Sequence, residues 1–243
     1  MNSKAIKKRP NIEERQMLAI VRHIGRYGMA TFSTARQLLE FDGCGLRVVK
    51  QALKECQRRS WIGSAWLDQT SKYWFLQKKG ATAALLNVPK TGPLSEPAKI
   101  RAAALLFFCM NEERPRHLLT TLELQGLLKG EQTSGLPSGF YLSSFGGTKL
   151  GLARVDAGRQ GRWDRILESV RCDIDRLLKS PGLSQIKRRG QLEISVITVL
   201  PEKAARLRTA MQNYSDLNRI SVRVVDCPEL VPLISSTLKK KGH

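Results

Sequence analysis

One predicted helix carries the side chains best suited to bind a nucleic acid. They are cationic or bear an amide, and they follow the helical repeat on an exposed face: Arg47, Lys50, Gln51, Lys54 and Arg58. Solvated helices usually mix charges, because opposite charges four residues apart stabilise a helix, whereas Glu55 is the only acid here. Lysine and arginine neutralise phosphates, and arginine and glutamine can hydrogen-bond base edges in a major groove. The face predicts DNA binding; the alternative is an ordinary solvated face of a basic protein.

More cations lie close to that helix in the sequence. Lys72 starts a predicted strand, and Lys78 and Lys79 follow the hairpin that this strand closes. If the helix enters a major groove, the hairpin would lie along the adjacent phosphates and offer Lys72 and Gln69. Residues 1–10 form a basic arm, which is either a solvated tail or a segment that follows phosphates or enters a minor groove.

Aromatic side chains are concentrated in the same hairpin: Trp61, Trp66, Tyr73, Trp74 and Phe75. Exposed aromatic rings can stack on nucleic-acid bases. Large apolar side chains are also what a small hairpin uses to pack onto its helices, and this second interpretation is favoured.

A nuclease site is the main catalytic alternative. Asp156 ends a predicted strand, where a ligand of Mg²⁺ would lie, but such a site needs two or three carboxylates and usually a lysine. The preceding strand, 139–144, contains no acid, and 149–155 contains no Glu-x-Lys. We instead expect Asp156 to cap its loop or to pair with a following arginine: Arg159, Arg162 or Arg165.

Other catalytic motifs do not occur. The chain has three histidines, which we expect at the surface or in local hydrogen bonds: His23, His117 and His243. Three isolated histidines exclude the histidine cluster of a relaxase. Neither GxxxxGK[ST] nor GxSxG occurs, and a hairpin turn explains Gly146 to Lys149. Nothing in the sequence assembles a site around Tyr141 or Tyr214. The sequence predicts no catalytic residue, metal site or cofactor.

Three helices and a hairpin must position the cationic face. The first helix covers about residues 12–27 and ends at Gly28, and the second begins with a capping box at Thr34 and Gln37. The third runs from about residue 45 to 59. Its spacing predicts an apolar stripe: Leu46, Val49, Leu53 and Cys56.

The hairpin follows that helix directly. Strands at 61–67 and 72–76 flank a polar turn, and a short helix ends near Leu86. Three helices followed by a hairpin is the order of a winged helix-turn-helix.

The second half has a different pattern. Prolines and glycine between Asn87 and Pro97 predict a linker. A core helix follows at about 98–111, and 120–128 is an apolar segment of uncertain type. The remaining predicted elements are strands 139–144 and 149–155, an amphipathic helix at 162–179 ended by Pro181-Gly182, strand 192–200, helix 202–214, strand 220–225 and helix 228–238. The spacing of the amphipathic helix predicts an apolar stripe: Ile166, Val170, Ile174 and Leu177 or Leu178. This alternation predicts an α/β layered domain, so the fold class is α+β.

Composition agrees with a polyanionic partner. The 243 residues carry a net charge of +20, which favours nucleic acid first and an anionic membrane surface second. Residues 1–90 hold 17 Lys and Arg against 6 Asp and Glu, while the remaining 153 hold 24 against 15. Five isolated cysteines predict neither a zinc site nor disulfides. Neither a membrane span nor a signal core is predicted, so the cytoplasm is the expected location.

The chain resembles the replication-relaxation family. The resemblance lies in the three-helix start, in Lys72-Tyr73-Trp74-Phe75-Leu76 with Gly80, and in Gly151 to Gly158 before an amphipathic helix. It implies a plasmid or mobile-element protein that joins a winged helix to a domain resembling the restriction-endonuclease fold, usually without a full active site. The family's usual acid two residues before Asp156 is Arg154 here, which weakens any inherited nuclease chemistry.

The expected protein is a sequence-specific binder of double-stranded DNA that assists replication, conjugative transfer or transcriptional control. Its divisions are an arm (1–10), a winged helix (11–88), a linker (89–97), an α/β domain (98–238) and a basic tail (239–243). The second domain is expected to support a homodimer, further DNA contact, or recruitment of a relaxase or replication protein. The alternatives are a Mg²⁺-dependent nuclease, a protein-interaction module and an RNA-binding protein.

Overall fold

The computed structural model describes residues 14–87, 91–111, 113–129, 135–144, 147–156, 163–198, 201–218 and 220–234. The predicted arm and tail, and Asn11 of a proposed helix cap, lie outside these residues. The described chain is a mixture of helices and strands in two sheets. It divides into two compact units between Pro93 and Leu94, within the segment where the sequence predicts a linker.

The first unit contains four helices and a small sheet within its described residues. Its elements are α1 (Glu14–Tyr27), β1 (Ala30–Thr31), α2 (Phe32–Phe41), α3 (Leu46–Arg58), β2 (Ile62–Trp66), β3 (Lys72–Leu76) and α4 (Lys78–Ala83). The sheet is antiparallel, with strand order β1-β3-β2. The predicted hairpin is therefore confirmed, and β1, only two residues long, was too short to predict.

Three helices and the hairpin share one core in this unit. Met17, Ile20 and Ile24 of α1 are buried together with Val49 and Leu53 of α3. Helix α1 ends as predicted at Gly28, whose φ of 81° suits the left-handed conformation that glycine adopts readily. The core therefore fixes which face of α3 remains at the surface.

Two local predictions in the first unit are wrong. The capping box of α2 is formed by Thr31 and Thr34, three residues before the predicted pair, because the Thr31 hydroxyl accepts from the Thr34 amide. Gln37 therefore lies inside the helix. Leu46 is 43% exposed, since it occupies the first position of α3, where the core no longer covers the stripe.

The second unit is built on a five-stranded mixed sheet. Its elements are α5 (Glu96–Cys109), β4 (Arg116–Leu118), α6 (Thr121–Leu127), β5 (Phe140–Ser143), β6 (Lys149–Asp156), α7 (Trp163–Lys179), α8 (Pro181–Arg188), β7 (Leu192–Thr198), α9 (Pro201–Asn218), β8 (Ser221–Asp226) and a 3-10 turn (Pro228–Leu230). The order is β4-β5-β6-β7-β8. The first three strands pair antiparallel, and β6, β7 and β8 pair parallel.

The core of the second unit joins this sheet to its helices. Val170, Ile174 and Leu177 of α7 pack with Leu152 of β6 and Ile194 of β7. Every residue of β7 is buried, which agrees with a central strand of a parallel ladder covered on both faces. The predicted stripe of α7 is confirmed.

Proline accounts for the main corrections in this unit. Pro181 does not simply end α7 but starts α8, and Pro97 lies in the first turn of α5, which begins at Glu96 rather than 98. The first turn of a helix tolerates proline because its amide has no intrahelical partner there. The uncertain segment 120–128 is helix α6, which has a capping box of Thr120 and Glu123.

No helix in the described part of the chain is both long and apolar enough to cross a membrane.

Candidate nucleic-acid interface

Helix α3 is held by one face and exposes the other. Its buried side chains are Val49, Ala52, Leu53 and Cys56. Ala52 extends the predicted stripe, because it lies one turn from both Val49 and Cys56. The polar residues between them must therefore point away from α1.

The exposed face carries the predicted cations. Arg47, Lys50 and Lys54 are exposed and Gln51 is half-buried. The ammonium of Lys50 lies 5.9 Å from the centre of the Phe32 ring, at the start of α2. Among the described residues, the side chains of Arg47 and Lys54 have no ion-pair or hydrogen-bond partner. These two charges are thus available to an external ligand.

Arg58, the fifth predicted contact, is engaged by the helix's own acid. Its Nη2 lies 2.6 Å from Oε1 of Glu55 and its Nε 2.8 Å from Oε2. Arg59 donates to the same carboxylate at 3.0 Å, and its Nη1 lies 3.9 Å from Glu14 of α1. The hydrogen bonds from Arg58 and then Arg59 lower the pKa of Glu55 to about 2. We call Glu55, Arg58 and Arg59 the Glu55 cluster; it neutralises part of the charge at the end of α3.

The cations after α3 are also at the surface. Lys72 begins β3, and Lys78 and Lys79 form the first turn of α4; all three are exposed. Helix α4 is held close to the hairpin by Gly80, where an added Cβ would lie 2.2 Å from the carbonyl oxygen of Trp61. Glycine is therefore needed for this close approach.

The hairpin aromatics divide into packed and exposed rings. Tyr73 and Phe75 are buried, and Trp61 and Trp74 pack against the core of the unit, as predicted. Trp66 is different because 57% of its surface is exposed. For this one ring, the packing interpretation is wrong.

Asp156 forms an ion pair with a cation that the sequence did not indicate. Its Oδ2 lies 2.5 Å from Nζ of Lys203 in α9, and both side chains are 8% exposed. Arg159 and Arg162 lie outside the described residues. Lys203 was missed because it lies on another element, brought to the end of β6 by the parallel arrangement of β6 and β7.

Arg154 forms a second buried pair in the same region. Its Nη2 donates to Oδ1 of Asp173 at 2.5 Å and its Nε donates to Oδ2 of the same carboxylate. Asp173 is only 2% exposed and lies on the apolar face of α7, between Val170 and Ile174. This pair was not predicted from the sequence. The signal that could have revealed it is an acid within an apolar stripe, because a buried carboxylate needs a cation as its partner.

Tyr141 and His23, which the sequence analysis considered as catalytic residues, are both buried. Tyr141 donates to Glu193 at 2.6 Å and contacts the hydroxyl of Ser195 at 2.7 Å. Burial and the Glu193 charge raise the pKa of its phenol. Of the two settings expected for His23, the surface is wrong: the residue is only 7% exposed, because it lies on the inner side of α1. Burial, and secondly Arg26, lower its pKa to about 4.

The remaining histidines and tyrosine considered in the sequence analysis do not form a metal site in the described residues. His117 is exposed and lies 3.4 Å from Glu123, while His243 and the side chain of Tyr214 are outside the described residues. In the part of the chain that the structure describes, no three histidine, cysteine or acidic side chains converge on one point.

Comparison with protein-family profiles, with curated protein sequences and with solved structures finds no match to this chain.

Proposed function

We propose that the first unit is a winged helix that binds double-stranded DNA and that α3 is its recognition helix. The observation that carries the proposal is the exposed, single-signed part of α3 formed by Arg47, Lys50 and Lys54. Holding like charges together costs helix stability, and a phosphate backbone offsets that cost. Arg47 and Gln51 add groups able to hydrogen-bond bases in a major groove.

The arrangement of elements supports this proposal. A helix, a short strand, two further helices and a hairpin follow one another, and the short strand pairs with the second hairpin strand. In a winged helix the second of the two successive helices lies in the groove, and the hairpin lies against the adjacent backbone. Lys72, Lys78 and Lys79 would then contact phosphates.

We propose that the whole chain is a DNA-binding protein of a plasmid or mobile element. In it, the second unit supports the DNA-binding first unit. Its antiparallel strands β4, β5 and β6, followed by the parallel strands β7 and β8, support the restriction-endonuclease-like architecture that the resemblance implies. The pairing of Asp156 with Lys203 and of Arg154 with Asp173 favours a structural use of these charges over metal chemistry. Binding of a second copy, a relaxase or a replication protein fits this role.

The test compares two double variants that remove the same charge. We expect Arg47→Ala/Lys54→Ala to weaken binding to a selected duplex about 30-fold or more at physiological salt, because a base contact from Arg47 is worth about 1–3 kcal/mol and Lys54 adds a phosphate contact. The matched control, Arg176→Ala/Lys179→Ala on α7, should bind within about twofold of the wild type. Binding is measured by fluorescence anisotropy over a range of salt concentrations.

Selection of bound duplexes from a random library, followed by sequencing, tests whether the protein prefers a particular DNA sequence. An enriched motif that the α3 variant loses supports specific recognition by α3. Equal losses in the two double variants would contradict the assignment to α3. A wild type without duplex affinity would contradict the proposed function and favour a protein-interaction module.

The Glu55 cluster leads to a separate prediction. In Glu55→Gln the side chain keeps its shape but no longer neutralises Arg58 and Arg59, so both become available to phosphates. We expect duplex affinity to rise several-fold and the salt dependence to steepen by about one unit of slope. Salt titrations of both proteins measure this change. Glu168→Gln on α7 is the control, since Glu168 also pairs with a nearby arginine; an equal gain there would show that only net charge matters.

A further inference from the structure

The end of the hairpin presents an aromatic ring to solvent. Trp66 is the last residue of β2, and 57% of its surface is exposed. Tyr73 and Phe75 of the neighbouring strand are buried instead. Single exposed apolar residues are common on proteins, so the surroundings of Trp66 decide whether it has a role.

Trp66 lies on the side of the hairpin that faces α3. Alternate residues of a strand share a face, so Ile62, Ser64 and Trp66 point to the same side. Ile62 belongs to the core with α3, and the Ser64 hydroxyl accepts from the side-chain Nε2 of Gln57 on α3 at 3.2 Å. Trp66 continues this row beyond the contact with α3. The ring therefore lies on the α3 side of the hairpin, and Gln57 shares a helix face with Lys50 and Lys54 because these residues are three to four positions apart.

A cation accompanies the ring. Lys72 is directly opposite Trp66 in the antiparallel ladder, and its Nζ lies 4.8 Å from the centre of the indole ring. An aromatic platform beside a lysine combines the two features of single-stranded nucleic-acid binding, stacking on a base and neutralisation of a phosphate.

We propose that Trp66 and Lys72 bind an unpaired base next to the duplex held by α3. The proposal rests on the proposed function and narrows its substrate to duplex DNA with an adjoining single-stranded segment. Bases inside an uninterrupted duplex are covered above and below by their neighbours, so an indole ring reaches a base face only where stacking is broken. An overhang or a gap supplies such a base.

The test measures the affinity of the full chain for three probes that share one duplex. The first probe is blunt, the second carries a short single-stranded overhang, and the third carries an overhang of abasic residues. We expect the wild type to bind the normal overhang about tenfold more tightly than either other probe, because only an unpaired base offers a face on which the indole ring can stack. Trp66→Ala should reduce this preference to about twofold or less while retaining its affinity for the blunt duplex.

Two further variants separate stacking from folding effects. Trp66→Phe should keep most of the preference, since it keeps an aromatic ring. Leu85→Ala, which shortens another strongly exposed side chain of this unit, should keep all of it. Equal binding of the three probes by the wild type, or an unchanged preference in Trp66→Ala, would overturn the proposal while duplex binding through α3 still stood. Absence of binding to every probe would overturn both.

Discussion

Replacing Arg154 by alanine is expected to destabilise the second unit by about 3–5 kcal/mol, because it leaves a buried carboxylate without its counter-ion. Asp173 is 2% exposed and accepts two hydrogen bonds from the Arg154 guanidinium. Removing the guanidinium leaves both carboxylate oxygens of Asp173 without these hydrogen bonds. Hydrogen exchange of the β6 and α7 amides at increasing urea concentrations measures the loss.

A double variant separates loss of the ion pair from loss of volume. Arg154→Met/Asp173→Leu removes both charges and keeps apolar bulk beside Val170 and Ile174. Replacing a whole buried pair by apolar groups is often neutral or stabilising, so most of the stability should return. If Arg154→Ala unfolds at the same urea concentration as the wild type, the pair contributes no stability. If the double variant is as unstable as Arg154→Ala, packing rather than charge is responsible.

Acidification is expected to weaken the first unit through His23. Burial, followed by the Arg26 charge, lowers the histidine pKa from 6.5 to about 4 in the folded chain. As the pH falls below 6.5, His23 therefore becomes protonated in the unfolded chain, whereas in the folded chain it stays neutral down to about pH 4. The stabilising effect of the neutral ring is complete above pH 6.5 and is lost as the pH falls toward 4, about 3 kcal/mol in all.

The measurement compares the wild type with His23→Leu. Urea unfolding is followed by hydrogen exchange of the α1 amides at pH 7 and pH 5. Between these two pH values the wild type should lose about 2 kcal/mol more than the variant. His117→Gln is the control, because His117 is exposed, and it should follow the wild type. Equal acid sensitivity in His23→Leu and the wild type would contradict the assignment.

Local spacing was sufficient to predict the elements that bury a continuous stripe. Val49, Leu53 and Cys56 on α3, and Val170, Ile174 and Leu177 on α7, recur with the helical period and are buried. The exposure of Arg47, Lys50 and Lys54 followed from the same reasoning, because these residues occupy the other face of α3. Their contact with DNA remains a prediction.

Features that depend on distant residues could not be predicted in this way. The partners of Asp156 and Arg154 lie on α9 and α7, and only the order of strands brings each pair together. The exposure of Trp66 depends on where α3 ends beside the hairpin, although its neighbouring aromatics are packed. Spacing along α1 did not reveal that the titratable ring of His23 lies inside the unit.

The close approach between Gly151 and Tyr141 restricts how these two positions can change over evolution. An added Cβ at Gly151 would lie 2.0 Å from the Tyr141 ring, so a side chain cannot enter while the tyrosine remains. Tyr141 in turn donates to Glu193 and contacts Ser195, and its loss would leave those buried groups without that partner. Descendants of this sequence should therefore keep the glycine and the tyrosine together or replace both, because residues in direct contact do not substitute independently.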